Sequence, residues 1–382
     1  MKVIKKAMKE YKSNAFFNKD PIWIESAKSS IFFKFIDSFT EFCCKYLPKT
    51  IRKKIFKFID NSTLIFSRFI NIINQIMLPA YIIKGREKYS REKINILYIG
   101  KDPFDGYISN LIFCDKTSDK KISYVFIWNI KKYLGKKNKN IDAVLIKNDI
   151  FYSRFFERQE FIIIPEWIGM TIDLTRSFEE IYSNFSPKIR EDINKVKRYR
   201  YTYEISQDSE KLDLFYNKMY LPFIKKRYKE NAKCIILPVM KHFLERGYEL
   251  MLTKIDGEYA SGLLFNIENN LLTLKYTGIM DGKMHLRKKG LGATTIYFSL
   301  MLAKKKNATS CNFGVCKPFL NDGLYRYKIK WNPRINKARK LYYYNTFSLK
   351  ICKNSKSIQQ FLKNNPFIFL KDDKPQIMNI KN

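Results

Sequence analysis

The stretch NLLTLKYTGIMDGKMHLRKKGLGATTIYFSLMLAKKK (270–306) decides how this chain is read. It opens on an apolar, β-like run, NLLTLKYTGIM (270–280), and closes on ATTIYFSLMLAKKK (293–306), which has helical character. Between them lies RKKGLG (287–292). A strand, a basic glycine loop and a helix in that order suit a phosphate group. Glycines let backbone N–H groups converge and approach a pyrophosphate closely, and the helix adds the positive end of its dipole. Arg287, Lys288 and Lys289 add formal charge, while Gly290, Leu291 and Gly292 supply the amides. Six residues in a lysine-rich chain also suit a plain turn, so the motif gains weight only from its neighbours.

Upstream, YELMLTKI, a turn at DGE (256–258), YASGLLFNIE, a turn at NN (269–270) and LLTLKYTGIM predict three antiparallel strands joined by tight turns. That order is not the βαβ opening of a dinucleotide site, and the GxxxxGK[ST] of a P-loop is absent. Further upstream, TIDL reads as a strand. SFEEIYSNF carries Ser177 and Glu180 as a capping box. SPKIREDINKVKRYR has Ser186 as N-cap and Pro187 in its first turn. EKLDLFYNKMYLPFIKKRYKE is a helix that Pro222 should end or kink, and KHFLERG is a helix with Gly247 just past its end. Downstream, ATSCNFGV (308–315) and KARKLYYYN are strands, and 351–382 is a polar tail with little periodicity. Before residue 170, KINILYIG (93–100), KISYVFIW (121–128), DAVLIKN (142–148) and EFIIIPEW (160–167) alternate with short helical stretches, a mixed α/β pattern.

Residues 1–90 show helical spacing. IFFKFIDSFTEFCCKYL (31–47) and IRKKIFKFI (51–59) are basic and amphipathic, suited either to an anionic membrane surface or to their own protein's core. LIFSRFINIINQIMLPAYII (64–83) is long enough to span a bilayer. Arg68, its asparagines and Pro79 instead favour an amphipathic or buried helix. No signal-peptide apolar core opens the chain.

At 382 residues the chain calls for two domains or more. Lys and Arg outnumber Asp and Glu 72 to 36, a net charge of +36. That excess favours an anionic partner: nucleic acid, an acidic membrane or a phosphorylated substrate. The seven cysteines contain no CxxC, and the two histidines, His242 and His285, lie far apart. Zinc spacing and a Ser-His-Asp triad are thereby disfavoured, no metal is expected, and a reduced, cytoplasmic compartment fits.

The loop's place after three antiparallel strands resembles that of the GNAT acyltransferases, whose fourth strand leads into an R/Q-x-x-G-x-G/A loop. DLTRSFEEIYSNFSPKIREDINKVKR, CNFG (311–314) and DGLYRYK (322–328) extend the likeness to a narrower branch: the Fem-like peptidoglycan aminoacyltransferases and the acyltransferases of exopolysaccharide and cell-envelope synthesis. The resemblance covers about residues 165–345. It implies an α/β (α+β) fold: a GNAT-like mixed, mostly antiparallel sheet flanked by helices, in two GNAT-like halves. The expected divisions are 1–90, a basic helical segment; 91–169, a degenerate first half; 170–350, the acyltransferase domain; and 351–382, the tail.

The resemblance also implies a mechanism. A backbone N–H on the fourth strand, which splays from the fifth, polarises the thioester carbonyl of acyl-coenzyme A while an amine attacks. Arg287, Lys288, Lys289, Gly290, Leu291 and Gly292 would then hold the pyrophosphate. Tyr276 falls on the fourth strand and Asp281 just after it. Asp281 sits in a DG pair that suits a turn as well as a base, and with 25 tyrosines any one is more often core than catalyst. Tyr327 and Lys328 match the branch's "[FY]-K" element, whose lysine is associated with the acyl donor or transition state. The acceptor would be a small-molecule or lipid-linked amine, with the protein cytoplasmic or peripheral on the inner membrane face through 1–90. Two other readings stand beside this one. An aminoacyl-tRNA donor is favoured by the charge and disfavoured by the lack of a coiled-coil arm. A non-enzymatic basic module for membrane or nucleic acid is the other.

Overall fold

The computed structural model describes residues 65, 68–101, 106–137, 140–229, 232, 234–338 and 344–378. The expectations for 31–47 and 51–59 lie outside the described residues. The architecture is mixed α/β, with two mostly antiparallel sheets of eight and seven strands flanked by helices. Two compact units are present, and the chain passes between them more than once. A glycine-loop unit holds Thr171–Gly314 and Lys330–Asn332. A flanking unit holds the described residues up to Met170, then Val315–Ile329 and Pro333 onward.

The flanking unit carries the eight-stranded sheet. Its early strands are β1 (Met77–Glu87), β2 (Lys93–Ile99), β3 (Phe113–Phe126), β4 (Ala143–Asp149) and β5 (Ile162–Pro165). Helix α1 (Gly106–Ile112) follows β2, and α2 (Ile130–Lys137) follows β3. The end of the chain returns to this sheet through β13 (Asn345–Ile351), α3 (Lys356–Asn364), β14 (Phe367–Lys371) and β15 (Lys374–Met378). The order is β15–β14–β5–β13–β4–β2–β1–β3, so β13 sits between β4 and β5. One face packs Ile94, Ile96, Leu145, Phe347, Phe361 and Phe367; the other packs Leu78, Leu97, Val144, Ile146 and Phe156. Such apolar runs, buried on both faces, are why DAVLIKN and EFIIIPEW read as continuous rather than alternating.

Two sequence expectations are corrected here. The segment 64–83 is not one helix: it is helical over 68–74 and becomes β1 at Met77. Pro79 has no N–H to continue a helix, and the β-branched pair Ile82–Ile83 favours a strand. The polar tail is structured instead, because its apolar residues fall where core packing needs them: Ile358, Phe361, Leu362 and Phe367 are all buried. Of the strand expected over KARKLYYYN (337–345), residues 339–343 lie outside the described residues; β12 (Arg334–Lys337) ends at its first residue and β13 begins at its last.

The glycine-loop unit contains most of the seven-stranded sheet: β6 (Ile168–Asp173), β7 (Thr202–Ser206), β8 (Glu249–Ile255), β9 (Glu258–Glu268), β10 (Leu271–Ile279) and β11 (Ser310–Cys316). From β6 inward the order is β6–β11–β10–β9–β8–β7, and β12 pairs with β6. The two hairpins turn on Asp256–Gly257 and Asn269–Asn270, all at positive φ (48°, 87°, 51°, 58°), the two-residue turn that matches strand twist. The Ser177/Glu180 capping box is formed on α4 (Phe178–Ser183), and Pro187 opens α5 (Pro187–Arg198). The helix through Pro222 does not end there. Between α6 (Ser209–Leu214) and α7 (Leu221–Tyr228) the chain widens into a π-helical turn, Phe215–Tyr220. The extra residue per turn relieves the clash of the Pro222 ring with the preceding carbonyls, so the helix bends past it. After α8 (Leu237–Glu245), Gly247 takes the left-handed φ of 82° that ends a helix.

Candidate functional site

The site is built around the end of β10. In this strand Leu271, Leu272 and Thr273 pair in parallel with Ser310, Cys311 and Asn312 of β11. The ladder stops at that point, although β10 continues to Ile279 and β11 to Cys316. On its other edge β10 stays paired with β9 up to Ile279–Ser261, with a register shift between Leu274 and Tyr276 that leaves Lys275 as an extra residue. A bulge of this kind increases local twist and turns the strand away from a neighbour. On β11, Gly314 has a φ of 76° and its N–H donates to the Asn312 side chain at 3.0 Å, which ends regular pairing.

Glycine fixes the seating of β10. A Cβ on Gly278 would lie 2.5 Å from the Met219 carbonyl carbon, and one on Gly262 would lie 2.4 Å from the Phe215 ring. Strands β10 and β9 therefore both lie directly against the π-helical turn, an arrangement that admits no side chain at either glycine. Tyr276 is half-buried, 5.6 Å from the Tyr220 ring and 6.0 Å from Phe243. The Lys275 ammonium stands 4.8 Å over Phe243. Burial pushes the Tyr220 phenol up, and its oxygen accepts from the Ile235 N–H at 3.1 Å.

Beyond β10, Asp281 takes a φ of 50° and pairs with Lys283 at 3.1 Å on the surface. Residues Met284–Lys289 form a 3₁₀ turn that ends on Gly290. Gly290 is required twice over. Its φ is 82°, and a Cβ would lie 2.5 Å from the Asp192 carbonyl oxygen on α5. Loop carbonyls are tied back to the α5 side: Lys195 Nζ donates to Lys288 O at 3.2 Å and Tyr201 Oη to Lys289 O at 3.0 Å. Lys289 stands 5.3 Å over the Tyr199 ring, while Arg287 and Lys288 are exposed.

Helix α9 (Leu291–Lys305) begins immediately, with no side-chain N-cap. Its first intrahelical bond runs from Thr294 N–H to Gly290 O at 2.9 Å. The amides of Leu291, Gly292 and Ala293 thus head the helix with no carbonyl four residues back to receive them, the arrangement that attracts an anion. Buried hydroxyls hold α9 on the sheet: Thr295 meets Ser261 at 2.7 Å and Thr253 at 3.2 Å. These, with Asp192, Lys195 and Tyr201, escape sequence reading. Their only signal is hydroxyl residues inside apolar strands and a helix rich in alternating charge.

Tyr327 and Lys328 close α10 (Gly323–Lys328) in the flanking unit, whereas Tyr276, Asp281 and 287–292 belong to the glycine-loop unit. Asp322 caps α10 through the N–H groups of Leu324 and Tyr325. Lys328 is buried, and its ammonium donates to Val315 O at 3.0 Å. Near it, burial pushes the Cys316 thiol up to about 12, against a partial offset from Lys328.

A mostly antiparallel sheet in which a parallel pair parts beside a glycine-led helix N-terminus is the arrangement expected from the sequence. Among solved structures, the chain is similar to FemX, with 13% identity over 70% of this chain and 83% of that one and a TM-score of 0.40. L-PGS from Bacillus licheniformis aligns at 12% identity, 74% and 84% coverage and a TM-score of 0.36. A tandem GNAT protein from the clavulanic acid biosynthesis pathway aligns at 10% identity, 69% and 79% coverage and 0.29. No family model and no curated protein matches the chain. No described helix is long and apolar enough to cross a membrane.

Proposed function

We propose that the chain is an N-acyltransferase that moves an acyl group from acyl-coenzyme A to an amine of a small molecule, an amino sugar or a cell-envelope precursor. One observation carries this reading: the β10–β11 ladder stops after three residue pairs, and the strand that runs on leads to the amides of Leu291, Gly292 and Ala293. A parted strand pair is where an extended thioester arm can lie along backbone. The helix start suits the pyrophosphate, with Arg287, Lys288 and Lys289 adding charge. In the transfer, the amine nitrogen forms a bond to the thioester carbon and the C–S bond breaks. The amine proton leaves to a base and the sulfur is protonated as the free thiol. Asp281, or water it orders, serves as the base, and Tyr276 as the proton source for the thiolate. The resemblance gives Lys328 of the flanking unit a part at the acyl donor, with Tyr327 beside it in sequence.

Calorimetric titration with acetyl-coenzyme A tests the donor. The wild-type chain should bind, and Gly292→Trp should weaken binding by on the order of a hundredfold by filling the helix start. Absence of binding by wild type, or equal binding by the variant, would remove coenzyme A. If charged tRNA bound instead, with a steep salt dependence, the donor would be aminoacyl-tRNA.

A further inference from the structure

Among the described residues, the flanking unit carries an exposed apolar surface. Phe69, Ile73, Met77, Phe126, Trp128 and Phe151 are 45% to 64% exposed. Backbone and ring contacts place them on one face. Met77 is the register partner of Phe126, and the Phe126 and Trp128 rings stack with centroids 6.3 Å apart. The Ile127 N–H donates to Ile76 O at 2.9 Å, joining the end of the 68–74 helix to the start of α2. Tyr152 Oη donates to Ile72 O at 2.8 Å, and the Gln75 side chain accepts from Asp149 N–H, which brings Phe151 to the same helix. The helix is thus held by its polar groups while Phe69 and Ile73, one turn apart, face outward. Contiguous exposed aromatics of this size mark an interaction surface rather than ordinary scatter.

The margin of the face is cationic. Lys131 and Lys132 of α2 follow Trp128, Lys121 donates to Tyr124 two residues before Phe126, and Arg154 follows Phe151; all four are exposed. Of the nearby acids, Asp149 is buried against Arg68, and Glu157 is half-buried and accepts from the Asp372 N–H at 3.1 Å. Trp and Phe rimmed by Lys and Arg form the pattern that partitions into a lipid headgroup layer: rings sit at the acyl boundary and cations stay among anionic headgroups. A net charge of +36 repels a second copy of this chain.

We propose that this face docks on an anionic membrane surface, with Phe69, Phe126 and Trp128 as the inserted side chains. The docking does not depend on the acyltransfer reading and is tested without activity. Full-length protein is sedimented with vesicles of phosphatidylcholine alone or with about a third phosphatidylglycerol, a composition that supplies anionic charge. Wild type should bind the anionic vesicles and be released by salt. Phe69→Ser/Phe126→Ser/Trp128→Ser, checked for folding by circular dichroism, should bind on the order of tenfold more weakly. Val239→Ser, an exposed apolar position in the other unit, should change nothing. Brominated lipid should quench fluorescence in wild type, and Trp128→Phe should lose that quenching while still binding. The proposal is overturned if wild type ignores both vesicles or the triple variant binds like wild type. Light scattering that shows a dimer dissolved by the triple variant would overturn it too, as would a protein partner that occupies the face in solution and blocks vesicle binding.

Discussion

A methyl group at position 290 would have to stand 2.5 Å from the Asp192 carbonyl oxygen, on a backbone whose φ is 82°. Both demands fall on one atom, so Gly290→Ala cannot relax by a side-chain rotation; α5 or the 3₁₀ turn must move. The expected cost is about 2 kcal/mol, the sum of left-handed strain and a displaced backbone contact. For a unit of this size that lowers the melting temperature by about 4–8 °C. Donor binding should fall with it, because Gly290 heads the helix whose first amides face the loop. Thermal denaturation beside acetyl-coenzyme A titration separates the two effects. An unchanged melting temperature would show that α5 does not press on the loop. At this scale the sequence was informative where a residue type is demanded by backbone geometry: Gly290, Gly247 and the Asp256–Gly257 turn were all legible. It was silent where the demand comes from across the fold. Nothing near Gly278 in sequence announces that Met219 and Tyr220 lie against it.

Among the elements, β7 lies at the edge of its sheet and is fastened by charge as well as by its ladder to β8. Glu204 on β7 accepts from Lys211 of α6 at 2.7 Å and from Tyr259 of β9 at 2.7 Å, and it pairs with Lys254 of β8 at 2.8 Å. Lys211 first, then Lys254 and Tyr259, hold its carboxyl down to about 2. A folded pKa below the unfolded value of about 4.3 means stability that is present above that value and lost as pH falls toward 2. The Glu204 side chain is 26% exposed, so solvent screens part of the gain, and Glu204→Gln should cost about 1 kcal/mol at pH 7. Urea unfolding at pH 7 and again near pH 2.5 checks the sign: the gap between variant and wild type should close in acid. A gap that persisted would assign the effect to the hydrogen bonds alone. The strands themselves were readable from alternation and turn residues. The parting of β10 from β11 was readable only through the family resemblance, because a ladder's end leaves no periodic trace in either strand.

For the whole molecule, the sequence's linear divisions are the least informative part of the reading. The chain leaves the flanking unit at Met170 and re-enters it at Val315 and Pro333. Residues 351–382 read as a polar tail because lysines and asparagines interrupt the apolar residues there. The apolar ones are nonetheless placed at helical and strand spacing, and Ile358, Phe361, Leu362, Phe367, Ile368 and Leu370 are all under 9% exposed. β14 meets β5 at Leu370–Ile163, Leu320 N–H donates to Pro366 O at 2.9 Å, and Ile368 N–H donates to Pro318 O at 2.7 Å. The end of the chain thereby also fastens the segment that leads into α10 and Lys328. Six buried apolar side chains at roughly 1.5–3 kcal/mol each amount to about 9–18 kcal/mol, comparable with the whole stability of a domain. Deletion of 352–382 should therefore unfold the flanking unit rather than trim it. Expression of residues 1–351 should give aggregated protein, or soluble protein whose 64–170 region is cut by trypsin at least tenfold faster than in the full chain. Phe367→Ala, with an expected cost of about 3 kcal/mol, gives the graded version of the same test. A truncated chain with the full-length melting temperature and protease resistance would show that β14 and β15 are an appendage, and that the flanking unit is complete at β13.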